Sequence, residues 1–325
     1  MKKIAIQAPM RIIKVDTRDS ASLRKDAEIW TRAQTALGQP PERGTSVAYL
    51  EQVCRSHTNP LGLYWGVEGQ SNCVIASART LTSIGEDSRE IAINIAVLPD
   101  FMRQGYGRCL FESVLGELTM SERRSAVRAT VPQGSVAAQF CEALGFKAIS
   151  TEIVLARGLE VEAVRKDPNI EIIEGMPDSR SLIEIQRLMD AMENDRQIKR
   201  GWQIGADVVC GARSVHEASL RYLSGGGKLF TGLMFDGGKC VGFGQLSLSP
   251  VGRVGVLQDV YVVPEERGRG VAKSIVQSLM QRLSLEQRVE RLQATVLDSN
   301  LESRRLFSGL GYAPLRERTR YILIL

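Results

Sequence analysis

The chain has 325 residues, 43% hydrophobic and 24% charged, which excludes wholesale disorder, collagen and a pure coiled coil. Lys and Arg number 42 against 37 Asp and Glu, a net charge of +5, so a polycationic coat for nucleic acid is not expected. At about 150 residues per domain the length suggests two domains. The six cysteines are scattered without a CxxC pair and there are two histidines, which is poor material for a Cys/His zinc site. Free thiols in a reducing cytoplasm are the simplest expectation. No apolar run approaches the roughly 20 residues of a membrane span, and the start MKKIAIQAPMRIIKV lacks the apolar core of a secretory signal. The expected location is therefore cytoplasmic, with no membrane contact.

In chain order, RIIKV reads as a strand, residues 20–37 as a helix and TSVAYLEQVCRS as a second helix. LGLYWGVE, NCVIASARTL and REIAINIAVLP follow as three strands rich in β-branched and apolar residues. GRCLFESVLGEL is an apolar-periodic helix, AVRATV a strand, and a short helix then ends in LGF before a last strand. From Asn169 the order recurs. NIEIIEG is a strand and SRSLIEIQRLMDAME a helix. KLFTGLMF, KCVGFGQLSLS and GVLQDVYVVP are strands, and AKSIVQSLMQRL a helix. RLQATVL is a strand, followed by a helix ending in LGY and a final strand.

This recurrence is a duplication. Pro99 matches Pro264 and Gly105 matches Gly270 at an offset of 165; Phe140–Phe146 matches Leu306–Tyr312 at 166; Cys73-Val74 matches Cys240-Val241 at 167. Three separated matches in one order at nearly the same spacing describe a single domain used twice, over residues 1–160 and 168–325. Each copy is a mixed α/β unit in which an antiparallel meander feeds a strand–loop–helix.

The chemical signal lies in that strand–loop–helix. In D259-V-Y-V-V-P-E-E-R-G-R-G-V-A-K a buried strand ends at Pro264, and Gly268 and Gly270 permit a tight turn. The helix then starts near Val271 with its free N–H groups pointing into the loop. The positive end of the helix dipole, with Arg267, Arg269 and Lys273 beside it, suits a pyrophosphate. GxxxxGK[ST] and GxGxxG are both absent, so this is neither a P-loop nor a dinucleotide fingerprint. A GxG alone reads as an ordinary turn; the whole block recurring at a fixed distance from LG[FY] makes it more.

The block resembles the acetyl-CoA-binding signature [QR]xxGx[GA] of the GNAT superfamily of N-acetyltransferases. Arg267, Gly270 and Ala272 satisfy it in copy two. Gly105 and Gly107 fit in copy one, where Met102 stands at the Gln/Arg position. The layout is similar to tandem acetyltransferases such as mycothiol synthase and those of antibiotic biosynthesis. The resemblance implies two GNAT domains with mainly antiparallel sheets. It implies acetyl-CoA or another acyl-CoA as cofactor and a small-molecule amine as acceptor, with no nucleic acid and no metal. Pantetheine would lie along Val97 and Leu98, or Val262 and Val263. The pyrophosphate would sit on Arg103, Gln104, Gly105, Tyr106, Gly107 and Arg108, or on Gly268, Arg269, Gly270, Val271, Ala272 and Lys273. Asn300 would open the next helix beside the cofactor. Acyl transfer would proceed by direct attack in a ternary complex.

A base and an acid are still required. Asp259 is the candidate base, with Asn94 at the matching position of copy one. Where the family carries an acid Tyr, this chain has Cys141 and Phe307; Phe307 has no proton to donate, and a buried structural thiol is the commoner reading of Cys141. Tyr64, Trp65, Trp202 and Tyr261 could line an acceptor pocket, with core packing as the default. The missing Tyr also leaves open a non-catalytic acyl-CoA-binding or scaffold protein. The assembly expected is a monomer formed as a pseudo-dimer within the chain, or a homodimer.

Overall fold

The computed structural model describes residues 10–37, 62–68, 73–82, 90–121, 126–159, 167–200, 226–248, 253–286 and 288–325, with single positions 47, 50, 51, 54 and 223. The second helix expected over residues 45–56 lies mostly outside them. Copy one contributes β1 (Met10–Lys14), α1 (Ser20–Ala36), β2 (Gly62–Glu68), β3 (Val74–Thr82), β4 (Glu90–Val97), α2 (Tyr106–Ser121), β5 (Ala126–Pro132), α3 (Val136–Ala143) and β6 (Lys147–Gly158). Copy two contributes β7 (Ile170–Glu174), α4 (Ser179–Arg200), β8 (Lys228–Asp236), β9 (Lys239–Leu248), β10 (Val254–Val262), α5 (Val271–Ser284), β11 (Arg291–Leu297), α6 (Leu301–Gly309) and β12 (Ala313–Ile324).

All twelve strands join one sheet in the order β1-β2-β3-β4-β5-β12-β6-β11-β10-β9-β8-β7. The β4–β5 and β10–β11 ladders are parallel and the others antiparallel. The last strand of each copy has crossed over. β12 lies against β5 of copy one, and β6 lies against β11 of copy two. The exchanged strands pair with each other at the middle, where Arg318 faces Glu152. Those two residues hold equivalent positions in the duplication, 166 apart.

Strand alternation sorts the helices. Ile91 and Ile93 of β4 pack with Leu110, Phe111 and Val114 of α2, whereas Ala96 and Leu98 pack with Ile29 and Ala33 of α1. In copy two, Leu257 and Val262 meet α5, and Tyr261 and Val263 meet Ile185, Leu188 and Met192 of α4. The register across β12 and β6 puts α2, α3, α5 and α6 on one face of the sheet and α1 and α4 on the other.

α5 shows why its start is well placed. Val271, Ile275, Val276, Leu279, Met280 and Leu283 form one buried stripe, each contributing about 1.5–3 kcal/mol on burial. Glycines in the sheet let this stripe approach closely. A Cβ at Gly244 would lie 2.8 Å from Ile275 Cγ2, and one at Gly255 would lie 2.5 Å from Leu283 Cδ2. The helix therefore rests on the backbone of β9 and β10, with its N-terminus at the end of β10.

Candidate functional site

In copy two, β10 and β11 run parallel from Val254↔Arg291 to Leu257↔Ala294 and then part. A bulge at Gln258 shifts the β9–β10 register between Leu257 and Asp259, at the point of parting. A bulge adds twist and bends its strand, here where the two parallel strands part. The chain then passes through Val263, a short 3₁₀ turn at Pro264–Glu266 and Arg267 before α5. Gly268 and Gly270 adopt φ of +77° and +83°. A Cβ at either would meet nothing within 4 Å, so these glycines serve the left-handed turn, and the space over them is open. The first N–H groups of α5 have no partner within the helix and face this loop.

The charges around the loop are arranged differently from the sequence expectation. Arg267 does not reach toward the loop amides. Its Nε donates to the Val262 carbonyl at 3.0 Å, its Nη2 pairs with Asp195 of α4, and its guanidinium lies 5.5 Å from the Tyr261 ring centre. The Tyr261 hydroxyl donates to the same Asp195 oxygen at 3.3 Å, and burial followed by the Asp195 charge raises the phenol above its ordinary pKa. Arg267 thus ties β10, the loop and α4 together. It also engages a carbonyl that an extended ligand along Val262 and Val263 would use. Arg269 is paired with Glu266 at 2.7 Å on the surface. Lys273 is exposed on the first turn of α5.

Copy one repeats the backbone path. Leu98 and Met102 (φ/ψ −59°/144° and −66°/152°) match Val263 and Arg267 (−57°/145° and −69°/154°). Gly105 has φ of +92°, and Arg103 takes at +61° the left-handed position that Gly268 holds in copy two. The side chains are occupied internally. Met102 packs beside Phe101 and Trp30, and Tyr106 is buried edge-on to Phe101. Gln104 donates to the Asp100 carbonyl at 2.8 Å and Arg108 to the Ala143 carbonyl at 2.9 Å. A Cβ on Gly107 would lie 3.4 Å from the Phe140 ring and 3.5 Å from Val97. β4 and β5 part after Ala92↔Arg128, and the β3–β4 ladder runs in unbroken register, without the bulge of copy two.

Asp259 and Asn94 hold matching, half-buried places on the face toward α4 and α1. Their surroundings differ. Asp259 stands opposite Gln245, whereas Asn94 stands opposite Arg79. Arg79 is held by Asp26, with Nε to Oδ2 at 2.7 Å; Ser77 pairs with the same carboxylate, and Trp30 lies 4.5 Å from the guanidinium. Asp26 is fully buried and Arg79 7% exposed. A guanidinium beside Asn94 disfavours an incoming ammonium, whereas the copy-two position carries a carboxylate.

The remaining candidates have partners of their own within the fold. Asn300 caps α6, its Oδ1 accepting from the Ser303 N–H at 3.1 Å, as Ser135 caps α3. Cys141 is 5% exposed among Ala138, Phe146 and Tyr321 in the copy-one core, and burial pushes its thiol up to about 11. Phe307 packs edge-on against Tyr312 at 5.1 Å. Tyr64 is buried and Trp65 half-buried on β2, while Trp202 lies outside the described residues. Asp195, the anchor of Arg267, escaped the sequence reading because it is 72 residues away; an acidic residue late in an otherwise polar helix was the only cue. Among the described residues no cluster of His, Cys, Asp and Glu could hold a metal, and no helix is long and apolar enough to cross a membrane.

Residues 201–312 match the model of the acetyltransferase (GNAT) family. A tandem GNAT protein from the clavulanic acid biosynthesis pathway, solved without AcCoA, superposes with a TM-score of 0.76 at 15% identity over 97% of this chain and 98% of its own. A GCN5-related N-acetyltransferase from Sphaerobacter thermophilus gives 0.69 at 17% over 98% and 97%. A glucosamine N-acetyltransferase region of a fungal GH3 β-N-acetylglucosaminidase gives 0.64 at 14%, over 97% of this chain and 38% of that one. No curated protein matches the chain. Residues 201–312 thus match the GNAT family, and the chain as a whole has the fold of these GNAT neighbours, one of them a tandem protein.

Proposed function

We propose that the protein is an acetyl-CoA-dependent N-acetyltransferase acting on a small-molecule amine, with the cofactor in the copy-two crevice. The reading rests on one arrangement: the bulged β10 parting from β11, then the open loop with left-handed Gly268 and Gly270, leading onto the N-terminus of α5. The loop and helix amides and Lys273 would hold the pyrophosphate. The acyl end would lie where β10 and β11 part, with a backbone N–H there stabilising the oxyanion. Asp259, across from neutral Gln245, would take a proton from the acceptor ammonium. The free amine would attack the thioester carbonyl and the C–S bond would break, the proton lost from the attacking nitrogen passing through water to the departing thiolate. Residues 1–160 and 168–325 act as the two units of a cytoplasmic monomer, copy one serving chiefly as scaffold.

Calorimetric titration of acetyl-CoA into the wild-type chain and Lys273→Glu tests this. The exposed substitution reverses a charge at the phosphate site without touching the core, and the affinity is expected to fall about tenfold or more. Unchanged affinity would remove the cofactor from this loop. Phe307 and the buried Cys141 favour a second reading, a non-catalytic acyl-CoA-binding protein. Thiol release with any amine across a panel, lost in Asp259→Asn, rules that reading out.

A further inference from the structure

α1 packs on β3 and β4, and α4 on β9 and β10. Between them, on the same face, the sheet surface is made by β5, β12, β6 and β11. Arg316, Arg318 and Arg320 alternate along β12 and so point to this one face, and the register places Arg128 of β5 on it as well. Glu152 serves two of these guanidiniums: Arg318 Nη2 lies 3.0 Å from one of its oxygens and Arg320 Nε 3.5 Å from the other. Each guanidinium offers five N–H donors and a carboxylate has two acceptor oxygens, so donors exceed acceptors in this trio. Two enclosed atoms show the shortfall directly. Arg318 Nε and Ser150 Oγ have no hydrogen-bond partner among the described residues. Ser150 stands opposite Arg320.

The position of this face is as informative as its charge. Arg128 occupies the last rung of the β4–β5 ladder, where the copy-one strands part. Arg316 lies in the cross-strand row Arg316–Val154–Thr295, and Thr295 follows the last β10–β11 rung, where the copy-two strands part. Two strand spacings are about 10 Å, the span of a small metabolite. Successive arginines on one strand face repel one another at about 7 Å. An anion bound among them relieves that repulsion and supplies the missing acceptors.

We propose that this central arginine face recognises the anionic end, carboxylate or phosphate, of the acceptor whose amine is acylated at the adjoining crevice. The inference rests on the N-acetyltransferase reading above. Thiol release would be measured with amine pairs that differ only in the anion: glucosamine and glucosamine 6-phosphate, and glycinamide and glycine. The anionic member of one pair is expected to have the higher kcat/KM by about tenfold, and the pair that shows it identifies the anion. Arg320→Gln should collapse that ratio through KM. Glu152→Gln, which removes the competing carboxylate, should raise it. A purely structural pair would not move the two variants in opposite directions. Equal kcat/KM within both pairs, or variants that shift both members alike, overturns the proposal. Should no amine turn over, the enzymatic reading falls, and titration of inorganic phosphate into the full chain decides this one. Binding weakened in Arg320→Gln and tightened in Glu152→Gln upholds an anion face; no binding overturns it.

Discussion

Asp195→Ala separates two roles for Arg267 by the sign of its effect. If the guanidinium were a phosphate ligand restrained by Asp195, removing the carboxylate would free it, and acetyl-CoA would bind more tightly. The structure makes Arg267 a strut instead, donating to the Val262 carbonyl and pairing with Asp195 while Tyr261 bonds the same oxygen. The side chains of Arg267 and Asp195 are 33% and 26% exposed, so solvent screens the pair and holds its worth to about 0.5–1 kcal/mol. The longer Tyr261 bond adds no more than about 0.5 kcal/mol. A loss of about 1 kcal/mol expressed as loop disorder raises the Kd for acetyl-CoA about fivefold. Calorimetry at fixed ionic strength reads the Kd, and a thermal melt should show a small fall in Tm. A Kd that drops or stays unchanged would refute the strut.

Four further outcomes follow from described features. Arg103→Gly removes a left-handed conformation that costs a side-chain-bearing residue about 1–2 kcal/mol, partly offset by the entropy of glycine in the unfolded chain, so urea denaturation should show a gain of about 0.5–1 kcal/mol; a loss of stability would contradict this. Cys141 and Cys240 are buried, with thiols pushed up to about 11, so mass spectrometry after iodoacetamide treatment at pH 8 should find exposed Cys73 labelled and these two protected until unfolding. Because their folded pKa values lie above the ordinary value near 9, the folded state binds more protons between about pH 9 and 11, and stability should decline across that window. A chain ended after Glu160 lacks β12, leaving β5 and β6 without the strand that joins them, and should not yield a folded monomer by gel filtration and circular dichroism; a cooperative, monomeric melt would contradict the exchange.

The duplication was legible because the markers it rests on are tied to backbone geometry. Gly105 and Gly270 share a left-handed turn that few other residues adopt, and the same conformation then recurs on both sides of the 165-residue offset. The strand exchange left no such mark. β6 and β12 have the same length and similar alternation, and a strand's period of two states which face is buried without naming its neighbour. The bulge at Gln258 was likewise silent, since one extra residue in a nine-residue strand leaves its apolar pattern readable either way. The partner of Arg267 was hidden for a different reason: a motif counts the charge but does not show what it pairs with, and Asp195 sits on another element. The alternation R316-E-R-T-R in β12 was a usable cue, since three arginines at every second position of a strand share a face.

The pairing of Arg318 with Glu152 has a consequence for how the two halves can associate. Two copies related by a two-fold axis bring any residue on that axis against itself. Two identical copies of either half, paired about such an axis, would oppose Glu to Glu or Arg to Arg across adjacent strands, a destabilising pairing of like charges. An ion pair there requires two halves of different sequence, which one chain holding both supplies. Each half carries the complement of the other at this spot, and a pair of identical halves would lack the bond.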